Sequence, residues 1–174
     1  MGTIIEGAGK GTAGRGLASA YLKAQDGPQI QFKRLHPDAI IPLRAHPTDA
    51  GLDLRAHYPE NPTYASIAPG GRVIVPTGLV VAIPEGYVGL VCPRSGLAAK
   101  YGITVTNAPG IIDSGYRGEL KVILQNTGDD TFTIEHSDRI AQLVITPALH
   151  VDVVEVTEFS STDRGEAGFG STGK

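Results

Sequence analysis

The sequence predicts an all-β protein, open at this level to a sandwich, a jelly roll or a barrel. Three observations carry that prediction. The apolar segments are short and rich in Val, Ile, Leu and Thr. The 23 glycines and 12 prolines are spread through the chain, so turns recur throughout. Only SGLAAKY, residues 95–101, has helical character in the body of the chain, roughly two turns of it. With 174 residues, the chain is long enough for one domain with a real core.

Three regions are expected. Residues 1–27 are a Gly/Ala-rich extension in which GAGKGTAGRG has no apolar periodicity. LASAYLKAQ, with Leu17, Ala18, Tyr21 and Leu22 on one stripe, suits a short helix. GAGKGT is not a phosphate loop, because Gly11 follows Lys10 where Ser or Thr is needed and no buried strand precedes it. Residues 28–158 form the β domain. QIQFKRL alternates and opens it, and strands are predicted at 52–56, 72–75, 79–83, 87–92, 103–106, 119–124, 131–134, 139–146 and 151–156. PGG at 69–71, PEG at 84–86 and TGDD at 127–130 separate them. Residues 159–174 form a polar tail with little to bury, expected to be mobile when free.

A net charge of −3 argues against a broad basic face for nucleic acid. The single cysteine, Cys92, excludes an internal disulfide and any multi-cysteine zinc site, and is expected to be a buried, inert thiol. No apolar run is long enough to cross a bilayer, and the N-terminus lacks the apolar core of a secretion signal. A cytoplasmic protein without nucleic-acid or membrane partners is expected. The five histidines show no metal-ligand spacing, and His46 and His57 read as surface or strand-edge residues. Neither Ser95 nor Ser171 sits in a nucleophile elbow.

The chemistry concentrates in residues 107–118, NAPGIIDSGYRG, which read as a tight hairpin between ITV and ELKVIL. Turning alone needs Gly, Asn and Pro. This stretch adds an acid, Asp113, and a hydroxylated aromatic, Tyr116. A carboxylate and a ring on a stiff turn suggest a pocket that stacks a flat ligand and manages a proton. PRSGLAAKYG, residues 93–102, places Arg94 and Ser95 at a helix start, where free N–H groups favour anions unless Ser95 merely caps the helix. DAGLDLRA, residues 49–56, offers Asp49 and Asp53; an acid beside a phosphate site implies a divalent cation between them. The tail combines Arg164 and Phe169 with Gly, Ser and Thr, a composition suited to wrapping a phosphate chain.

DAGLDLRA, PRSGLAAKYG, NAPGIIDSGYRGE, DRIAQLVI and RGEAGFGSTG occur in that order and resemble the five sequence motifs of the trimeric dUTP nucleotidohydrolases. The resemblance runs from about Gln29 to the C-terminus. It implies a jelly-roll β-sandwich with one short helix, a homotrimer with sites shared between subunits, and Mg²⁺-dependent cleavage of dUTP to dUMP and pyrophosphate. Asp113 matches the acid that deprotonates the attacking water and holds the 3′-OH, and Tyr116 matches the ring packed under the deoxyribose. Asn107, Gly110 and Ile112 fall on the hairpin that would read uracil, with Lys121 on the strand after it. Arg94, Ser95, Gly96 and Gln142 match the triphosphate ligands. Asp53 matches the acid that holds a water of the Mg²⁺ shell. In the tail, Arg164, Gly170, Ser171 and Thr172 would clamp the γ-phosphate and Phe169 would stack on uracil.

Two other readings are weighed. dCTP deaminases resemble this family, but they need a glutamate on the strand after the hairpin, where this chain has Ile123. That disfavours a deaminase and a bifunctional enzyme alike; the ligand set of zinc-dependent deaminases is also absent. A non-catalytic nucleotide-sensing trimer would be expected to lose Asp113, Tyr116 or Arg164, and all are present.

Overall fold

The computed structural model of the chain describes residues 27–60, 63–163 and 165–166. The described residues form a β-sandwich of ten strands and one helix. The strands are β1 (Gln31–Arg34), β2 (Gly51–Arg55), β3 (Tyr64–Ile67), β4 (Arg72–Ala82), β5 (Tyr87–Cys92), β6 (Ile103–Val105), β7 (Gly110–Ile112), β8 (Glu119–Asn126), β9 (Phe132–Glu135) and β10 (Arg139–Pro147). The helix, α1, is Ser95–Tyr101. One four-stranded sheet runs β1-β4-β8-β6 and the other β2-β10-β5-β7, with β3 and β9 as a two-stranded ribbon. Leu52, Leu54, Val91 and Leu143 of one sheet meet Val75, Val105, Leu120, Val122 and Leu124 of the other in a single core.

Alternation explains how the sequence builds this sandwich. Along β8, Leu120, Val122, Leu124 and Asn126 are buried, while Glu119, Lys121, Ile123 and Gln125 face outward. Asn126 is tolerated inside because its amide donates to the carbonyls of Ile67 and Asp130, at 2.8 and 2.7 Å, and its Oδ1 accepts from the Gly128 N–H at 2.9 Å. The helix ends where expected, since Gly102 adopts φ 66° at its C-terminus.

Several expectations are corrected. The segments at 72–75 and 79–83 form one strand, β4, bent by a register shift between Pro76 and Val80. β3, where no strand is predicted, pairs with β9. Residues 151–156 are not a strand: Val151, Val153, Val154 and Val156 are exposed and no strand partner flanks them among the described residues. His46 is exposed as expected, but His57 is buried, its Nε2 3.1 Å from Asp38 Oδ1 and its ring stacked on His36. The hydrogen bond from His57 holds the Asp38 carboxyl below its ordinary value of 3.8. Cys92 is only half-buried. The helix read over 17–25 lies outside the described residues.

The β4 bend depends on Gly78. Its φ is +67°, and a Cβ there would lie 2.8 Å from His57 Cγ and 3.0 Å from the Ala39 Cβ. Gly78→Ala combines left-handed strain with overpacking and is expected to destabilise the fold by about 2–4 kcal/mol. Urea denaturation measures it; a midpoint equal to wild type would show that the bend relaxes freely.

Candidate active site

The structure gathers the sequence-predicted residues into two groups. Asp113, Tyr116, Glu119 and Lys121 line one cleft of about 400 Å³ together with Ile74, Ile111, Ile112 and Ile123. Its floor is the outward face of β4 and β8, where Ile74 lies opposite Ile123. Its wall is β7 and the turn that follows it. Residues 107–118 are therefore not a tight hairpin tip. β6 and β8 do pair, with Val105 opposite Leu124, but the connection between them crosses to the other sheet, where β7 pairs with β5. That crossing sets Asp113 on an exposed turn at the mouth of the sandwich.

The ring of Tyr116 folds back along its own turn. Its hydroxyl donates to the Glu119 carbonyl at 2.9 Å. A Cβ at Gly118 would meet Tyr116 Oη and ring atoms well inside contact distance, so glycine is required there. Gly110 is buried, and a Cβ there would press on the Asn107 amide and Val91 at 3.2 and 3.3 Å. Asn107 itself is exposed.

The second group lies at the far end of β5. Asp53 on β2 stands opposite Gln142 on β10, which stands opposite Cys92 on β5. The Asp53 carboxylate receives Arg94 Nε at 3.3 Å and Arg139 Nη1 at 3.1 Å. Arg94 also donates to the Arg139 carbonyl at 2.8 Å, and the Gln142 amide donates to the Pro93 carbonyl at 2.9 Å. The result is a carboxylate held between two guanidinium groups beside a helix start. Arg94 occupies the N-cap position of α1 and makes no side-chain cap. Ser95 is thus the first helical residue rather than its cap, and by position its N–H and that of Gly96 lack an intrahelical acceptor. Asp49 turns elsewhere, accepting from the His46 N–H at 2.9 Å. Sequence reading overlooked Arg139 and Glu119. Arg139 is the second residue of DRIAQLVI, but only strand pairing brings it to Asp53, across 86 residues of sequence.

The two groups do not meet within one subunit. Ile112 lies opposite Gly89 and Gly110 opposite Val91, so Asp113 leaves β7 near the start of β5 while Arg94 follows its end. At about 3.3 Å per residue the two are roughly 20 Å apart along the strand. Arg164, Phe169, Gly170, Ser171 and Thr172 lie outside the described residues.

Comparison with known proteins places this arrangement. The dUTPase family model matches residues 37–173. The deoxyuridine 5′-triphosphate nucleotidohydrolase of Caulobacter vibrioides is 51% identical over 149 residues, covering 84% of this chain and 96% of that protein. Among solved structures, a variant dUTPase of Staphylococcus bacteriophage 80alpha with dUpNHpp superposes with a TM-score of 0.74 at 32% identity, covering 84% of this chain and 99% of that one. A variant dUTPase from phage phi11 of S. aureus, described with a structural Mg(II) ion, gives a TM-score of 0.67 at 29% identity over 75% of this chain and 98% of that one. A β-sandwich with these residues at the two ends of one strand, matched over most of its length, belongs to the dUTPase family.

Proposed function

We propose that the protein hydrolyses dUTP to dUMP and pyrophosphate in sites completed between the subunits of a homotrimer. The observation that carries the reading is the cleft in which exposed Asp113 stands beside Tyr116. Asp113 takes a proton from water, the water oxygen attacks the α-phosphorus, and the bond to the bridging oxygen breaks with pyrophosphate leaving. The same carboxylate holds the 3′-OH. Asn107, Gly110 and Ile112 present the backbone edge that reads uracil; cytosine would leave buried groups unpaired there. Arg94, Gln142 and the N–H groups of Ser95 and Gly96 take the triphosphate. The tail, carrying Arg164, Phe169, Gly170, Ser171 and Thr172, closes over it. Lowering dUTP limits uracil incorporation into DNA and yields dUMP for thymidylate synthesis, a cytoplasmic role. Among the described residues no helix is long and apolar enough to cross a membrane.

Mg²⁺ fits this chain as an ion that arrives with the nucleotide. Among the described residues there is no cluster of acids and histidines that could cage a metal. Both oxygens of Asp53 already face guanidinium groups, which leaves lone pairs for a water rather than a free carboxylate for direct ligation. Asp53 fixes Arg94, and with the ion bound it would hold a water of the ion's shell. When bound, the ion supplies charge neutralisation on the phosphate oxygens.

Two features support a site shared between subunits, and the threefold count is that of the family. Asp113 and Arg94 are too far apart in one subunit to serve the same phosphoryl group. Leu149, Val151, Val153 and Val154 are 91%, 75%, 94% and 74% exposed, an apolar run that a lone subunit leaves in water. Light scattering is expected to give three times the chain mass of 18.2 kDa; a fully active monomer overturns the shared site.

Pyrophosphate release measured with dUTP, dCTP, dTTP and UTP tests the whole reading. Turnover of dUTP far above the others is expected. Ammonia from dCTP would sink it in favour of a deaminase, although Ile123 lines the cleft and moves no proton. Tyr116→Ala is expected to relax the preference for dUTP over UTP by at least about tenfold in kcat/KM, since the ring excludes a 2′-OH. An unchanged ratio would put sugar discrimination elsewhere.

A further inference from the structure

Glu119 joins three parts of the cleft. Its Oε1 accepts from the Gly78 N–H at 3.0 Å, its Oε2 lies 3.3 Å from Lys121 Nζ, and its backbone carbonyl receives the Tyr116 hydroxyl. The anchor side of this arrangement is stiff. Gly78 sits in the β4 bend against the buried His57 ring, and its own carbonyl accepts from the Leu35 N–H at 2.8 Å. Its amide is thereby aimed at one place. The Glu119 side chain is 21% exposed and that of Lys121 is 51% exposed, so the ammonium is the freer partner.

Lys121 shares the cleft with Asp113. A general base works through its affinity for a proton, and a cation close to a carboxylate lowers that affinity, by about 1–3 pH units at contact distance. Among the described residues Asp113 makes no ion pair, and the Lys121 ammonium in the same cleft is paired with Glu119. The other charged group on the same turn, Arg117, spends its Nη1 on the carbonyls of Ser114 and Tyr116, at 2.6 and 2.7 Å. β7 contributes only Ile111 and Ile112 to the cleft, and β4 only Ile74. Lys121 is thus the cation that shares this cleft with Asp113 in the free protein, among the described residues.

We propose that Glu119 is a positioning residue that binds the Lys121 ammonium against the β4 bend and so keeps the Asp113 carboxylate clear of a cation. The proposal rests on the reading of Asp113 as the base. Loss of the Glu119 charge frees Lys121 to pair with Asp113, and the base weakens although nothing that touches the reacting atoms has been removed.

The experiment compares wild type, Glu119→Gln, the double variant Glu119→Gln/Lys121→Met, and Asp113→Asn, following kcat/KM for dUTP against pH. Glutamine keeps an oxygen for the Gly78 N–H, so the fold is retained, and thermal melting checks it. The acid limb of Glu119→Gln is expected about one pH unit below that of wild type, with a plateau severalfold lower. The double variant is expected to bring the limb back. A carboxyl-carbon NMR titration of Asp113 in the free proteins should show the same displacement and return. A limb that does not move in Glu119→Gln overturns the proposal, as does one that stays displaced in the double variant. A purely structural Glu119 would lower the plateau and the melting temperature without moving the limb. Asp113→Asn separates the two readings: if it retains turnover, the base assignment itself falls, whereas an inactive Asp113→Asn with an unmoved Glu119→Gln limb sinks only the role of Glu119.

Discussion

Asp113→Asn lowers kcat by at least about a hundredfold, the lower range for a positioned general base, while dUTP binding changes little. Asparagine keeps the size and the planar shape of the side chain and still reaches the 3′-OH. It cannot accept the proton of the attacking water. The site tolerates the change sterically, because Asp113 is exposed on the turn after β7 and is not packed into the core. Melting temperature should therefore stay within a few degrees of wild type, as for surface substitutions generally. Single-turnover kinetics with Mg²⁺ and a separate binding titration make the distinction. A near-normal kcat would remove Asp113 from the role of base, and a large loss of binding would make it a ligand first.

Removal of residues 159–174 is expected to abolish most turnover and to leave the fold and the assembly intact. Phe159, at the start of this segment, is 92% exposed, and residues 160–163 are exposed as well. Little apolar area is lost, so little stability goes with it. The segment also carries Arg164, Phe169, Ser171 and Thr172. On the proposed reading, their loss would strip guanidinium and hydroxyl donors from the γ-phosphate and the ring from uracil. A closing segment acts mainly on the reactive complex, so kcat should fall further than affinity does. Turnover and melting temperature of the truncated chain, read together, decide the matter. Full activity would reduce the segment to a polar tail, and a collapse in melting temperature would make it part of the fold.

Local chemistry made much of this molecule legible. β5 and α1 were readable to the residue, because Gly86, Pro93 and Gly102 punctuate them and each break has a backbone cause. The apolar run ELKVIL placed most of β8, and the order of the motifs pointed to the family and to Asp113, Tyr116, Arg94 and Gln142 as candidates. These features depend on neighbours in sequence, or on residue types whose chemistry is the same wherever they sit.

The tertiary structure decided whatever depends on partners distant in sequence. Residues 151–156 have the β-branched composition of a strand, yet a strand needs a partner edge, and among the described residues this segment pairs with none. Residues 107–118 carry turn chemistry, but whether the chain turns back at once or crosses to β5 is set by which sheet edge is vacant. The burial of His57, the grip of Arg139 on Asp53 and the hold of Glu119 on Gly78 each join segments about 20 or more residues apart. Side-chain periodicity tells which face of a strand is apolar. It carries no information on which strand lies alongside, because that choice is made by the packing of the whole core, and the choice brings Lys121 and Asp113 into one cleft while sending Arg94 to the other end of β5.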